Sequence, residues 1–427
     1  MRDRILKAFD YVERAKARAL FDMLELGGKV KTSLPIAAAP IRGAVEIQQA
    51  LPPKSALIEY YLSDDLLLIF AITNDALELA YMEKPKVKEL LKVLDEFEKR
   101  IDLVELYAQG HEELQTVSNA DAMAGIAAAL YKYLLQPVQL DWGKLERLFI
   151  VPHGQLHGLP FCTLHHEGEF FIERVPITQI PSASIWYYLL VERRSVSSEQ
   201  KYSYFGIANP RPREFSCAWQ LDPALQQDIS ECEKIVKNVA KLFEKERHST
   251  CILLREKATY ALFKEYLKDY TIVDLQTHAY YDPGQPMRSV FVLVGERGEP
   301  RWVTAEEILD LQLHPEFRLL VLGTCYGGKV RITPGNDLLG FIRAFMAIGA
   351  RSILSYRWAL LDALPTVECL INFYTSWIQG GNPKDRALQD AQKNLIEKGR
   401  KGEGLEQGWP TFDHPYYWAW TLIGDPL

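Results

Sequence analysis

The chain has 427 residues, 48% apolar and 25% charged, the make-up of a globular protein with an ordinary core rather than a disordered or fibrous chain. A net charge of -7 argues against nucleic acid or an anionic membrane as the main partner, because both select a basic field. Six scattered cysteines without a CxxC pair argue against a disulfide framework or a zinc ribbon and fit a reducing cytoplasm.

Residues 4–26 carry Ile5, Phe9, Val12, Leu20, Met23 and Leu24 at helical spacing, and Gly27-Gly28 end the pattern. This opening is charged throughout, unlike a secretory leader. No apolar run approaches the roughly 20 residues that cross a bilayer. The Pro/Ala-rich segment KTSLPIAAAPIRG reads as a linker, so 1–50 form an N-terminal helix and linker.

A first α/β block is expected over 51–198. SALIEYYLSDDLLLIFAIT reads as a hairpin turning at Ser63-Asp64-Asp65, followed by helical VKELLKVLDEFEKRI and AGIAAALYKYLL. The buried-strand run LERLFIV then leads into PHGQLHGLPFCTLHH. His153 and His157 are four apart, but Pro152, Gly154 and Gly158 oppose the helix that would align them on a metal, so a turn or domain contact is expected. Cys162 reads as core, and His165-His166 before Glu167-Gly168 as a solvated hairpin. The polar stretch RRSVSSEQK at 193–201 marks the boundary to a second block, 199–427.

In that block YSYFGIAN, CILLR, TIVDLQTHA, SVFVLV, FRLLVLGTC and SILSYRW read as strands. Helices are expected over 224–244, 258–268, 304–310, 337–348, 365–379 and 384–397. Thr304 with Glu307 fits a capping box, and Asn382 before Pro383 an N-cap. Apolar strands alternating with helices predict an α/β fold, a mostly parallel sheet covered on both faces.

Function in such sheets collects at the carboxyl ends of strands. TIVDLQTHA delivers His278 and FRLLVLGTC delivers Cys325 to such ends. A thiol with a pKa near 8.5 is mostly protonated at neutral pH, and a neighbouring imidazole favours the thiolate and can protonate a leaving amine. Small residues in Gly323-Thr324-Cys325-Tyr326-Gly327-Gly328 permit a tight turn beside backbone oxyanion donors. The caspase signature Q-A-C-[RQG]-G has its His about 50 residues upstream; here Cys325 and Gly327 match it, Gly323, Thr324 and Tyr326 differ, and His278 lies at that range.

The flanks extend the likeness. Residues 150–161 read IVPHGQLHGLPF, 172–184 IERVPITQIPSAS, 336–354 NDLLGFIRAFMAIGARSIL and 414–425 HPYYWAWTLIGD. With the His278 and Cys325 blocks, these resemble, in order, the motifs of the CHAT family of caspase-like cysteine peptidases, usually found behind tetratricopeptide repeats in bacteria. The resemblance implies two fused caspase-like units, the first without a dyad and the second catalytic. It implies an endopeptidase acting on protein or peptide substrates with His278 as base and Cys325 as nucleophile, and activation by a protein partner or a conformational signal. Backbone N–H groups of Cys325 and Ala279 would hold the oxyanion, with neither cofactor nor metal. Ala279 replaces the family's Gly after the His, and Tyr326 its acidic residue after the Cys. The repeats are absent, and the helix at 4–26 resembles only the family's last connecting helix.

Asp282, Asp337 and Asp362 are candidates for a pocket that takes a basic substrate side chain; each also fits a cap, Asp282 within Asp-Pro-Gly and Asp337 after Gly335-Asn336. Trp358 is a candidate for lining the substrate groove, with core packing as the rival. Tyr326 joins these pocket candidates. Two other readings stand beside the peptidase. One is a silent scaffold whose dyad is never assembled. The other is a nucleotide site, since GTCYGGK fits G-x-x-x-x-G-K, although Val330 replaces the Ser or Thr of a P-loop and Pro334-Gly335 delay the next helix.

Overall fold

A computed structural model describes residues 2–26, 41–108, 120–192, 202–213, 228–329, 331–332, 338–405 and 409–427. The strands in chain order are β1 Ser55–Leu62, β2 Leu66–Thr73, β3 Leu77–Glu83, β4 Arg147–Val151, β5 His165–His166, β6 Glu169–Phe170, β7 Ile177–Gln179, β8 Ser203–Ala208 and β9 Ser249–Leu254. They continue with β10 Ile272–Gln276, β11 Ala279–Tyr280, β12 Val290–Val294, β13 Pro300–Thr304, β14 Leu319–Gly323, β15 Arg331–Ile332, β16 Leu338–Leu339, β17 Ser352–Ser355 and β18 Thr421–Gly424.

Among the described residues, eleven strands form one sheet in the order β3-β2-β1-β4-β7-β18-β17-β14-β10-β8-β9. The expected hairpin is β1–β2, closed where the Ser63 N–H donates to the Leu66 carbonyl at 2.8 Å. The β2–β3 and β17–β18 pairs are also antiparallel, and all other neighbours are parallel. The antiparallel β17–β18 pair reverses direction midway. Strands β1, β4 and β7 therefore run opposite to β8, β10, β14 and β17.

Side chains alternate between the faces of this sheet, and the core divides accordingly. On one face Ile58, Ile150, Tyr204, Ile272 and Val321 meet the helices Lys86–Ala108, Ser230–Lys245, Leu364–Tyr374 and Lys384–Arg400. On the other, Leu57, Phe149, Phe205, Val273 and Leu320 meet Phe9 and Val12 of the helix Arg2–Leu26, Phe263 of Tyr260–Tyr266 and Phe345 of Phe341–Ala347. Each layer draws on residues from both sides of residue 200, and each fully buried Leu or Phe contributes about 1.5–3 kcal/mol. The Thr304–Glu307 capping box forms as the pattern predicts.

Several expectations are corrected. SVFVLV is a strand, but β12 pairs with β11 and β13 in a separate three-stranded antiparallel sheet among the described residues, because an apolar run does not specify which sheet receives it. Strand β3 and the helix Ala44–Ala50 were not anticipated. The last long helix starts at Lys384, and Asn382 bonds the Ser376 hydroxyl and the Asp390 carboxylate instead of capping it. The helix expected from 224 begins at Ser230, with 224–227 outside the described residues, as are the boundary stretch 193–201 and linker residues 31–40. The His165-His166 hairpin forms as β5–β6, yet its rings pack: His166 stacks on Tyr131 at 4.3 Å and His165 lies edge-on to Phe170.

Candidate active site

Strands β10 and β14 are parallel neighbours, with Gln276 opposite Gly323 at their ends. His278 and Cys325 each follow two residues later, so both emerge at the same level of the same sheet edge. Both are half-buried and both line one cavity of about 30 Å³. The chain holds this level firmly. The Thr277 hydroxyl donates to the Val292 carbonyl at 2.6 Å, and the Val292 N–H donates to the His278 carbonyl at 3.0 Å. That second bond makes Ala279 and Phe291 a pair whose own N–H groups point away from each other. The Ala279 N–H is thereby directed away from β12.

Beneath the pair lies a buried polar cluster. Asp274 accepts from the Tyr204 hydroxyl at 3.2 Å, the Tyr374 hydroxyl at 3.1 Å and the Gln276 amide at 2.6 Å. Burial raises the Asp274 carboxyl to about 6, against the opposing pull of those three donors. The signal was present in the sequence, since Asp274 and Gln276 fall on one face of an otherwise apolar strand.

The nucleophile turn is tightly packed. Tyr326 adopts a left-handed φ of 57°, uncommon for a bulky residue. Its N–H donates to the Trp358 carbonyl at 3.0 Å and its hydroxyl to Glu105 at 3.0 Å. A Cβ on residue 327 would lie 2.6 Å from the Thr324 hydroxyl, so Gly327 is required by close approach. On the far side of the cysteine, Sγ is 3.9 Å from the Leu360 carbonyl oxygen.

The pocket candidates separate. Asp362 lines the small cavity, but its two oxygens accept the Glu231 and Cys232 N–H groups at 3.0 and 2.8 Å and so cap the helix Ser230–Lys245. Burial raises its carboxyl above the ordinary range. Asp282 does not line that cavity; one of its oxygens accepts the Gly284 and Gln285 N–H groups in a turn. Trp358 is 2% exposed and stacks on Tyr416, so it belongs to the core and not to a groove. Asp337 lies outside the described residues. Tyr326 lines a different, larger cleft of about 1020 Å³, together with Tyr281, Lys329 and Arg357 from its own half and Phe97, Glu98 and Gly154 from the other.

Other candidates also find places. Cys162 is buried, and burial pushes its thiol up to about 12. The His153 Nδ1 sits 3.0 Å from the Leu62 carbonyl oxygen, tying the Gly154–Gly158 turn to the end of β1, and burial lowers its pKa to about 4. The residues after Lys329 give no P-loop helix: Arg331–Ile332 is a strand. No helix among the described residues is long and apolar enough to cross a membrane. Glu105 was missed, for a carboxylate on an amphipathic helix more than 200 positions away carries no local signal.

No curated protein matches the chain. Among solved structures, two of the yeast Saccharomyces cerevisiae separase–securin complex align with it. They do so at 12% and 11% identity with TM-scores of 0.47 and 0.48, over 90% of this chain and 30% and 31% of those chains. The chain thus spans about a third of the length of the structures it matches. The CHAT domain model matches residues 125–425, a span that includes both strand ends and the residues they deliver. This chain belongs to the CHAT domain family.

Proposed function

We propose that the chain is a cysteine endopeptidase in which Cys325 attacks the scissile carbonyl of a protein substrate and His278 serves as base and then acid. The observation that carries this reading is the β10–β14 register, with His278 and Cys325 each two residues beyond the Gln276–Gly323 pair and open to one cavity. His278 takes the thiol proton, and the thiolate forms a C–S bond to the carbonyl carbon. The oxyanion is met by backbone N–H groups of Cys325 and Ala279, the latter directed away from its neighbouring strand. His278 returns the proton to the leaving amine as the C–N bond breaks. Water, deprotonated by the same imidazole, then cleaves the thioester and restores the thiol.

The cavity has room for about one water, so peptide entry requires a neighbouring segment to move. This supports activation by a protein partner or a conformational signal. The two blocks divide the labour: 51–198 supplies Glu105, which bonds Tyr326 and Ala359 beside the nucleophile, and 199–427 the dyad.

The same closure favours a second reading, a silent scaffold. Cleavage-site sequencing in a proteome digest tests the first, with Cys325→Ala and His278→Ala each expected to fall to background while remaining folded. Full activity in either variant would refute the assignment. Failure of an electrophilic peptide probe to modify Cys325 under any activating condition would favour the scaffold.

A further inference from the structure

The helix Lys86–Ala108 carries Glu105 three residues before its end, with the side chain buried between two segments from the other half of the chain. One carboxylate oxygen accepts the Tyr326 hydroxyl at 3.0 Å, and the other accepts the Ala359 N–H at 2.7 Å. Tyr326 follows the nucleophile directly. Ala359 precedes Leu360, whose carbonyl oxygen stands 3.9 Å from the Cys325 sulfur. The Tyr416 hydroxyl holds the Ala359 carbonyl at 2.7 Å, so residue 359 is pinned on both sides. A single side chain therefore binds the residue after Cys325 and the segment that closes over it.

The energetics make this attachment adjustable. Burial raises the Glu105 carboxyl, while the Ala359 N–H and the Tyr326 hydroxyl among its neighbours oppose that rise. A buried charge held by two charge-assisted bonds is close to break-even. Unpaired buried polar atoms cost free energy, so the closed arrangement lasts only while the Tyr326 hydroxyl and the Ala359 N–H keep their shared acceptor. Glu105 supplies bonds that hold it.

We infer that Glu105 is a regulatory clamp: by binding Tyr326 and Ala359 together it keeps residues 359–362 closed against Cys325, and an activating partner works by withdrawing the carboxyl end of the helix Lys86–Ala108. Its purpose rests on the peptidase reading, but its physical content does not. When the helix end moves, Tyr326 and Ala359 lose their shared acceptor together, and the cavity beside Cys325 opens.

The test is site-resolved alkylation of the full chain with iodoacetamide, followed by mass spectrometry. Limiting rates are taken where they no longer rise with pH, which removes the effect of thiol ionisation. Glu105→Gln is expected to speed Cys325 alkylation about tenfold, the scale of one hydrogen bond to a charged group. Tyr326→Phe, which changes no charge, is expected to act in the same direction by a smaller factor. Cys369, 0% exposed, is the folding reference and should not change. An unchanged or slower Cys325 rate in both variants overturns the clamp. If Glu105→Gln also speeds Cys369, the Tyr326→Phe result alone decides. Faster alkylation with no peptide cleaved by any variant would sink the peptidase reading and keep the clamp; cleavage with unaltered alkylation would do the reverse.

Discussion

Gln276 stands opposite Gly323 in the parallel β10–β14 ladder, and its amide oxygen lies 1.9 Å from where a Cβ on residue 323 would be. The glycine is there to make room for that amide, which in turn donates to Asp274 at 2.6 Å. Gly323→Ala should displace the amide and break this buried bond, costing about 1–3 kcal/mol. Urea unfolding of Gly323→Ala, Gln276→Ala and the double variant checks it. The double variant should be less destabilised than the sum of the singles by more than about 0.5 kcal/mol. Strict additivity would mean that the glycine serves something else.

Asp274 gives the network a pH signature. Its carboxyl is raised to about 6 in the folded protein, above the ~3.9 of an unfolded chain. The fold therefore prefers the protonated acid. Its contribution is complete below pH 4 and is lost as pH rises through 6. Asp274→Asn should gain stability relative to the native chain across that window, by at most ~1.4 kcal/mol per pH unit, and stay level above it. Urea midpoints from pH 4 to 8 measure this; a difference independent of pH would exclude Asp274 as the titrating group.

His414 should act with the opposite sign. It is fully buried, burial lowers its pKa to about 3, and its Nδ1 accepts the Tyr416 N–H at 3.2 Å. The folded chain holds it neutral, so stability present above pH 6.5 is lost as pH falls toward 3. His414→Gln keeps an acceptor but cannot titrate. Its stability should fall less steeply below pH 6.5, by up to ~1.4 kcal/mol per pH unit. Parallel slopes for the two proteins would disprove the role.

Much of this was legible because of period and position. The runs ending at His278 and Cys325 are apolar and short, so they had to be buried strands, and their polar ends had to emerge. The Thr304–Glu307 box could be read from a spacing of three. What could not be read depends on partners distant in sequence. Apolar Val290–Val294 joins a side sheet because β11 and β13 flank it. Trp358 faces Phe97 and Tyr416 rather than a groove. Glu105 is one of several carboxylates on its helix, and only the fold brings it to Tyr326 and Ala359.

The N-terminal helix offers a last test, because charge as well as apolar contact docks it. Lys16 reaches Glu59 of β1 at 2.9 Å, both with side chains at most 2% exposed. Glu13, three residues before, accepts the Ala183 and Ser184 N–H groups at 3.1 and 2.8 Å. Burial pushes the Glu59 carboxyl well up, Glu13 adds to the rise, and Lys16 opposes it. Lys16→Met removes the opposing charge and leaves two carboxyls buried together. Breaking one side of such a pair costs about 3–5 kcal/mol, whereas replacing both sides by apolar groups is often neutral. Lys16→Met should therefore lower the urea unfolding free energy by that amount, and Lys16→Met with Glu59→Leu should regain most of it. If the double variant is as weak as the single, the ion pair itself holds the helix, and the apolar contacts of Phe9 and Val12 are insufficient.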